Sequence, residues 1–239
     1  MPEPSADRLS ATVSSLSSTL LTDDANLHDG LRRVALAGCA LLDKCSSASI
    51  SLIERRRPST VAATDDVALA LDHAQYDVGD GPCLTAAAER RTIRIDVVAT
   101  DRRWPIFSQA AIDQGISCSL SVPLRLTDGD LSGGLNIYGD HANGFSESDE
   151  QVAAVFAAHA SIVVANARAY WAAFELTQHL TAAMETRAVI EQAKGMLMTT
   201  YEVDAEAAFD MLRRRSQAEN RKLHDIAAEM AAHAGAGRG

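Results

Sequence analysis

At 239 residues the chain exceeds a typical domain of roughly 100 to 200 residues and fits one full domain followed by a smaller one. Apolar residues at 47% supply a packed core, whereas aromatics at only 5%, with abundant alanine, favour long helices over a β-sandwich. The net charge of −10 excludes a protein that coats nucleic acid through a generally basic surface. The opening MPEPSADRLS has no basic segment followed by an apolar run, so no secretory leader is read there and a cytoplasmic location is expected. The most membrane-like stretch, Val152 to Phe174, is interrupted by His159, Asn166 and Arg168, and is expected to be a soluble helix with no membrane partner. Cys39, Cys45, Cys83 and Cys118 form no C-x-x-C pair and have no histidine pair at zinc-ligand spacing. All four read as reduced thiols, mostly core, with no metal site.

In chain order, Leu9, Val13, Leu16 and Leu20 recur at helical spacing, and a second helix is expected from Leu27 to Lys44. Ser49–Glu54 and Ser59–Ala63 read as neighbouring strands joined by Arg55-Arg56-Arg57-Pro58, a solvated hairpin tip. A helix follows from Asp66 to about Gln75, then the breaker Gly79-Asp80-Gly81-Pro82 and a short helix through Ala88. Thr92–Val97 gives a third strand, and Arg103-Trp104-Pro105 starts a helix that ends near Gly115. Ser117–Leu124 and Leu131–Tyr138 pair across Thr127-Asp128-Gly129-Asp130. From Ser146, the acidic Glu147, Asp149 and Glu150 suit the first turn of a long alanine-rich helix. The class is α+β, a small antiparallel sheet with helices covering one face.

With Val152 at position a, that long helix carries a heptad: Val152, His159, Asn166, Ala173 and Leu180 at a, with Val155, Ile162, Ala169, Leu176 and Ala183 at d. A polar Asn at one a position fixes register in two-stranded pairs, so a parallel homodimer is expected through this seam. The competing reading packs the wider stripe of Val155, Phe156, Ile162 and Val163 on the chain's own sheet.

Charge is distributed unevenly. Residues 176–239 carry 8 Lys/Arg against 9 Asp/Glu, yet Arg213, Arg214, Arg215, Arg221 and Lys222 cluster beside Glu219 alone. Arg187 and Lys194 lie two helical turns apart, with Glu191 between them, and form a cationic edge. Gly195 stands inside this helix at a cost of about 1 kcal/mol relative to alanine. Either another helix passes close by or a ligand approaches there, and Ala193 keeps the surface shallow. Asp204 caps a second helix in which Ala207, Ala208, Met211 and Leu212 pack and Phe209 acts as an anchor. Ser216–Asn220 breaks the pattern, with Asn220 capping a third helix whose Leu223, Ile226, Ala227 and Met230 share one core.

The strand and helix order over residues 27–170, with Gly79-Asp80-Gly81-Pro82-Cys83-Leu84, resembles a GAF domain. The run Arg187, Ile190, Ala193-Lys194-Gly195, Leu197-Met198, Ala207, Phe209, Leu212-Arg213, Leu223, Ile226 and Ala227 is similar to the ANTAR pattern. The resemblance implies a GAF sensory domain at 27–170 and a three-helix ANTAR module at 171–233, which leaves an N-terminal helix and linker at 1–26 and a flexible tail at 234–239. It further implies a transcription antiterminator that binds paired hairpins of nascent RNA as a dimer. A small-molecule GAF ligand of unknown identity is implied too, with Asp80, Pro82 and Cys83 as candidate pocket residues. The candidate RNA contacts are Arg187, Ala193, Lys194, Gly195, Tyr201, Arg213, Arg214, Arg221 and Lys222, phosphates being met by Arg and Lys and unpaired bases by the lone aromatic. The family places Gly after Tyr201, where this chain has Glu202, at a cost of roughly 1 kcal/mol if the backbone there is left-handed. No G-x-S-x-G, H-E-x-x-H or P-loop motif occurs, so no catalytic residue is expected. A sensory scaffold that binds only small ligands or protein is the alternative function.

Overall fold

The computed structural model describes residues 27–126 and 131–236, so the amphipathic pattern at Leu9–Leu20 and the Thr127–Asp130 turn lie outside the described residues. The chain divides into two compact units, Met1–Arg168 and Ala169–Gly239.

The first unit is built on five antiparallel strands in the order β2-β1-β5-β4-β3, with β1 Ser47–Glu54, β2 Arg57–Ala63, β3 Ile93–Ile95, β4 Cys118–Pro123 and β5 Leu131–Gly139. Because side chains alternate across a strand, Ala48, Ile50, Leu120, Val122, Leu135 and Ile137 point to one face. There they meet Leu31, Val34 and Ala35 of α1 (Leu27–Leu41) and Phe156, Ala160 and Val164 of the long helix. The opposite face carries Ser49, Ser51, Ser119, Ser121 and Asn136, a pattern that reads as solvated, yet all five are buried. Helices α2 (Asp66–Val78), α3 (Pro82–Glu89) and α4 (Pro105–Asp113) lie over it, with Leu71, Ala86, Trp104 and Phe107 packed on Ile93, Ile95 and Tyr138. The expectation of one covered face is corrected to two.

Local chemistry sets the boundaries. Asp65 caps α2 by accepting from the Ala68 N–H at 3.0 Å, and Gly79 ends it at φ +70°, a conformation that costs glycine nothing. Helix α1 stops at Leu41, short of Lys44, because the chain turns back through a Cys45 N–H to Leu42 C=O bond of 2.8 Å. That reversal brings the Cys39 and Cys45 Cα atoms to 5.2 Å and the two are joined as a disulfide. The reading of four reduced thiols is thus corrected: only Cys83 and Cys118 are free, both buried. Sequence spacing could not reveal a pair created by a turn.

Helix α5 (Glu147–Tyr201) begins in the first unit and supplies the first helix of the second. It is long and apolar enough by composition to cross a membrane, but much of its apolar window is core: Ala153, Phe156, Ala157, Ala160, Val163 and Val164 are all buried. The second unit adds α6 (Ala205–Glu219) and α7 (Leu223–Ala236) around a small core of Ala193, Leu197, Ala208, Leu212, Ile226 and Ala227. Asp204 caps α6 as expected, accepting from the Ala207 N–H at 2.8 Å. Three expectations are corrected here. Helix α6 runs through Ser216 to Glu219, and Asn220 is its left-handed C-cap rather than the cap of α7. Phe209 is 40% exposed and lies outside the core, which is closed by three alanines, two leucines and one isoleucine. Residues 234–236 belong to α7 and not to a tail.

Candidate functional site

At 100° per residue, Arg187, Glu191, Lys194, Met198 and Tyr201 fall along one stripe of α5, with Gly195 at its margin, while Ala193 and Leu197 turn into the core. The stripe is open: Arg187, Glu191 and Gly195 are exposed, and Tyr201 is 59% and Met198 37% accessible. A Cβ built on Gly195 would meet nothing within 4 Å, so no neighbour among the described residues accounts for the glycine. Ala193 is different. It is completely buried against α6 and α7, so its smallness serves helix packing, and its assignment as a surface contact is corrected.

The cations are not equally available. Lys194 lies along the helix with its side chain only 16% exposed and both Glu191 oxygens 3.0 Å from Nζ. Arg213 pairs with Asp210 at 2.9 Å. Arg215 and Arg221 both bridge Glu219 and Glu229 at 2.7 to 3.0 Å, which ties α6 to α7. These contacts push both arginines up and both glutamates down from their ordinary pKa values. The five-cation cluster therefore faces three carboxylates rather than Glu219 alone, and Arg221 has a structural role that sequence spacing did not show. Arg187, Arg214 and Lys222 are exposed and make no ion pair among the described residues. Glu202, following Tyr201, adopts φ +53°, so the turn keeps a left-handed backbone without glycine.

In the first unit the Gly79-Asp80-Gly81-Pro82-Cys83 segment is the α2–α3 corner. Gln75 Oε1 accepts from the Cys83 N–H at 2.8 Å, and a Cβ on Gly81 would collide with that Gln75 side chain. Asp80 is exposed and accepts from Trp104 Nε1 at 3.1 Å. Pro82 starts α3, and Cys83 is fully buried, its sulfur against β5 at Gly134. Burial, with the nearby Asp72 carboxylate, pushes the Cys83 thiol up to about 12. The three candidate pocket residues thus build the corner, while the cleft beside it is lined by Tyr76, Gly79 and Leu84.

Sequence reading missed the centre of this region. Asp72 is completely buried and accepts from Ser49, Ser51, Thr60, Tyr138 and Asn136 at 2.7 to 3.4 Å. Tyr76 extends the cluster by donating to Ser51 Oγ at 2.6 Å. No cation joins it among the described residues. Burial therefore raises the Asp72 carboxyl above its ordinary value, against the lowering effect of its hydrogen bonds. The available signal was the alternation Ser47, Ser49, Ser51 facing Asn136 and Ser121, a polar row too regular for a solvent face to require.

Family models match both parts of the chain: a GAF domain at residues 24–165 and an ANTAR domain at 178–230. The chain is a GAF- and ANTAR-domain protein. Both are regulatory domains, and no curated protein matches the chain. Solved structures share the GAF fold. The GAF domain of a phosphoenolpyruvate-protein phosphotransferase from Coxiella burnetii is 18% identical over 70% of this chain and 99% of that one, with a TM-score of 0.52. The corresponding domain from Acinetobacter is 17% identical over 71% and 97%, with a TM-score of 0.50. A free methionine-R-sulfoxide reductase from Neisseria meningitidis, in complex with its substrate, is 16% identical over 68% and 91%, with a TM-score of 0.54. At these identities the likeness is one of fold.

The heptad divides where the GAF core ends. Val152 is 6% exposed inside that core, so its place in the seam is corrected. Val155 and His159 are half-buried, and the His159 ring lies 2.9 Å from the Val155 carbonyl oxygen. Ile162 is 52% exposed, and Asn166, Ala169, Ala173 and Leu176 all face solvent. Every residue from 168 to 185 is exposed, including Trp171, Leu176 and Leu180 at 57 to 60%.

Proposed function

We propose that this chain is a cytoplasmic transcription antitermination regulator in which the GAF unit senses a small molecule and controls a dimeric ANTAR module that binds paired RNA hairpins. The observation that carries the reading is Gly195. A helix-interior glycine costs about 1 kcal/mol relative to alanine, and nothing among the described residues fills the space it leaves. A surface kept bare beside Arg187, Lys194, Met198 and Tyr201 is suited to close approach of a nucleotide backbone, with cations for phosphates and Tyr201 for an unpaired base. Arg214 and Lys222 add exposed charge, and Arg213 and Arg221 take part to the extent that RNA phosphates displace their carboxylate partners.

Helix α5 supports the dimer. Eighteen consecutive exposed residues bearing Trp171, Leu176 and Leu180 leave a helix that the described residues of its own chain do not cover. The d positions Val155, Ile162, Ala169 and Leu176, with Asn166 at a, offer a second copy a two-stranded seam. Two ANTAR modules would then be presented to two hairpins. Catalysis is not part of the reading: both free cysteines are buried, and the Cys83 thiol stays protonated at neutral pH.

Gly195→Ala tests this directly, because stability and affinity should move in opposite directions. The variant gains about 1 kcal/mol in denaturant unfolding, while filter binding to a two-hairpin RNA at fixed salt weakens by about tenfold. Unchanged RNA affinity in a more stable variant would reject the assigned surface. A wild-type protein that binds two-hairpin RNA no better than unrelated competitor RNA would favour a scaffold that binds only small ligands or protein.

A further inference from the structure

The β1–β2 hairpin turns through Arg55 and Arg56, whose φ angles are +49° and +66°. A two-residue turn with both residues left-handed is the type I′ turn, for which Asn-Gly is the low-strain choice. Two arginines hold that geometry against their own conformational preference, and Arg57 follows at once. None of the three makes an ion pair among the described residues. The one adjacent carboxylate, Glu54, pairs with Arg168 at 3.8 Å. In a chain of net charge −10, this is concentrated positive charge with no ion-pair partner among the described residues.

The two arginines do not simply project into solvent. They line a cleft of about 470 Å³ together with Ile53, Pro58, Tyr76 and Leu84, a size within the ordinary range for small-molecule sites. Apolar walls from β1, β2 and α3 stand beside two cationic forks. Paired guanidiniums match a dianionic group with several acceptor oxygens better than a single carboxylate. Tyr76 connects the cleft to the interior: its hydroxyl donates to Ser51 and lies 3.1 Å from Thr60 Oγ1, and both of those hydroxyls bond Asp72. A ligand against Tyr76 therefore touches a hydrogen-bond chain that runs to Asn136 and Tyr138 of β5.

We infer that this cleft binds a small phosphomonoester, its phosphate held by Arg55 and Arg56 and its apolar portion against Ile53, Pro58 and Leu84. The inference rests on the reading of the GAF unit as the sensor and gives that sensor a ligand class. It also accounts for two arginines in a turn where Asn-Gly would be unstrained.

The test is calorimetric titration of the full chain with phenyl phosphate, with inorganic phosphate and phenol as separate arms. Phenyl phosphate should bind most tightly, inorganic phosphate more weakly, and phenol not measurably. The double variant R55N/R56G installs the residues that a type I′ turn prefers, so it should fold and melt at or above the wild-type temperature while phenyl phosphate affinity falls by about tenfold or more. Equal affinity in that variant overturns the site, as does failure of the wild type to bind phenyl phosphate at millimolar concentration. Equal affinity for phenol and phenyl phosphate overturns the ligand class. Two-hairpin RNA binding, measured on the same samples without ligand, separates the two proposals. Lost phosphate binding with intact RNA affinity is the expected result for the variant. A wild type that binds phenyl phosphate but no RNA leaves the cleft standing and removes the antitermination reading.

Discussion

The GAF unit packs helices on both faces of its sheet and encloses Phe107, Phe156 and Tyr138 completely, whereas the ANTAR unit is held by six small or medium side chains and leaves Met198, Tyr201 and Phe209 partly in solvent. The polar groups differ in the same sense. Asp72 and its hydroxyl partners are buried and hydrogen-bonded in the GAF unit, while the ion pairs of the ANTAR unit lie at the surface. At about 25 cal/mol per Å², alanine contributes little area, so the ANTAR unit has less to hold it together. The contrast is between a unit folded around a large closed interior and one whose small core leaves much apolar surface open. For the same reason the ANTAR surface should tolerate substitution in stability and not in binding.

The sharpest way to break this contrast is to attack each interior. Asp72→Ala removes the acceptor of five hydrogen bonds, four of them fully buried, and should cost about 3 kcal/mol or more in the GAF transition, measured by chemical denaturation. The pH dependence has a definite sign. Because the folded Asp72 carboxyl sits above its ordinary 3.8, the folded chain keeps that proton longer than the unfolded one. Its contribution to stability therefore declines as pH rises from 3.8 through the raised value, and Asp72→Asn should remove that slope. In the ANTAR unit, Ala193→Leu overfills a completely buried site between three helices and should cost about 2 kcal/mol. Loss of helix by circular dichroism at a lower temperature, with the GAF transition unmoved, is the expected result. A single shared transition in either variant would mean that the units do not unfold separately.

Much of this was legible where a residue's role is set by its near neighbours in sequence. Asp204, Asp65 and Gly79 cap helices through bonds three or four residues away, and the strands follow period-2 runs whose pairing the hairpins dictate. What escaped depends on distant contacts. Ser49 and Ser51 read as solvent-facing until α2 lays Asp72 over them, more than twenty residues later. Ala193 reads like Gly195, yet helical phase turns one into the core and leaves the other bare. Arg221 shares its sequence cluster with Arg214, but Glu229 on the next helix claims the first and not the second. The Cys39–Cys45 pair is hidden for a related reason, since only the exact end of α1 brings the two sulfurs together.

Smaller effects sharpen the comparison within the ANTAR unit. Glu202 holds φ +53°, a conformation glycine adopts freely, so Glu202→Gly should stabilise the module by about 1 kcal/mol, less the extra chain entropy glycine brings to the unfolded state. Unfolding that is unchanged or easier would show that Glu202 makes up for its backbone elsewhere. The smallest expected effect belongs to the network of Arg215, Arg221, Glu219 and Glu229, which is exposed and open to salt screening. Both glutamates titrate below their ordinary 4.5, so what they contribute is fully present above that value and is lost as pH falls through their lowered pKa values. An acid titration of helix content should therefore show a shallow loss below pH 4.5 that Glu229→Gln and high salt each flatten. If the loss persists in both, the network is not its source and the α6–α7 pairing rests on the apolar core of Leu212, Ile226 and Ala227.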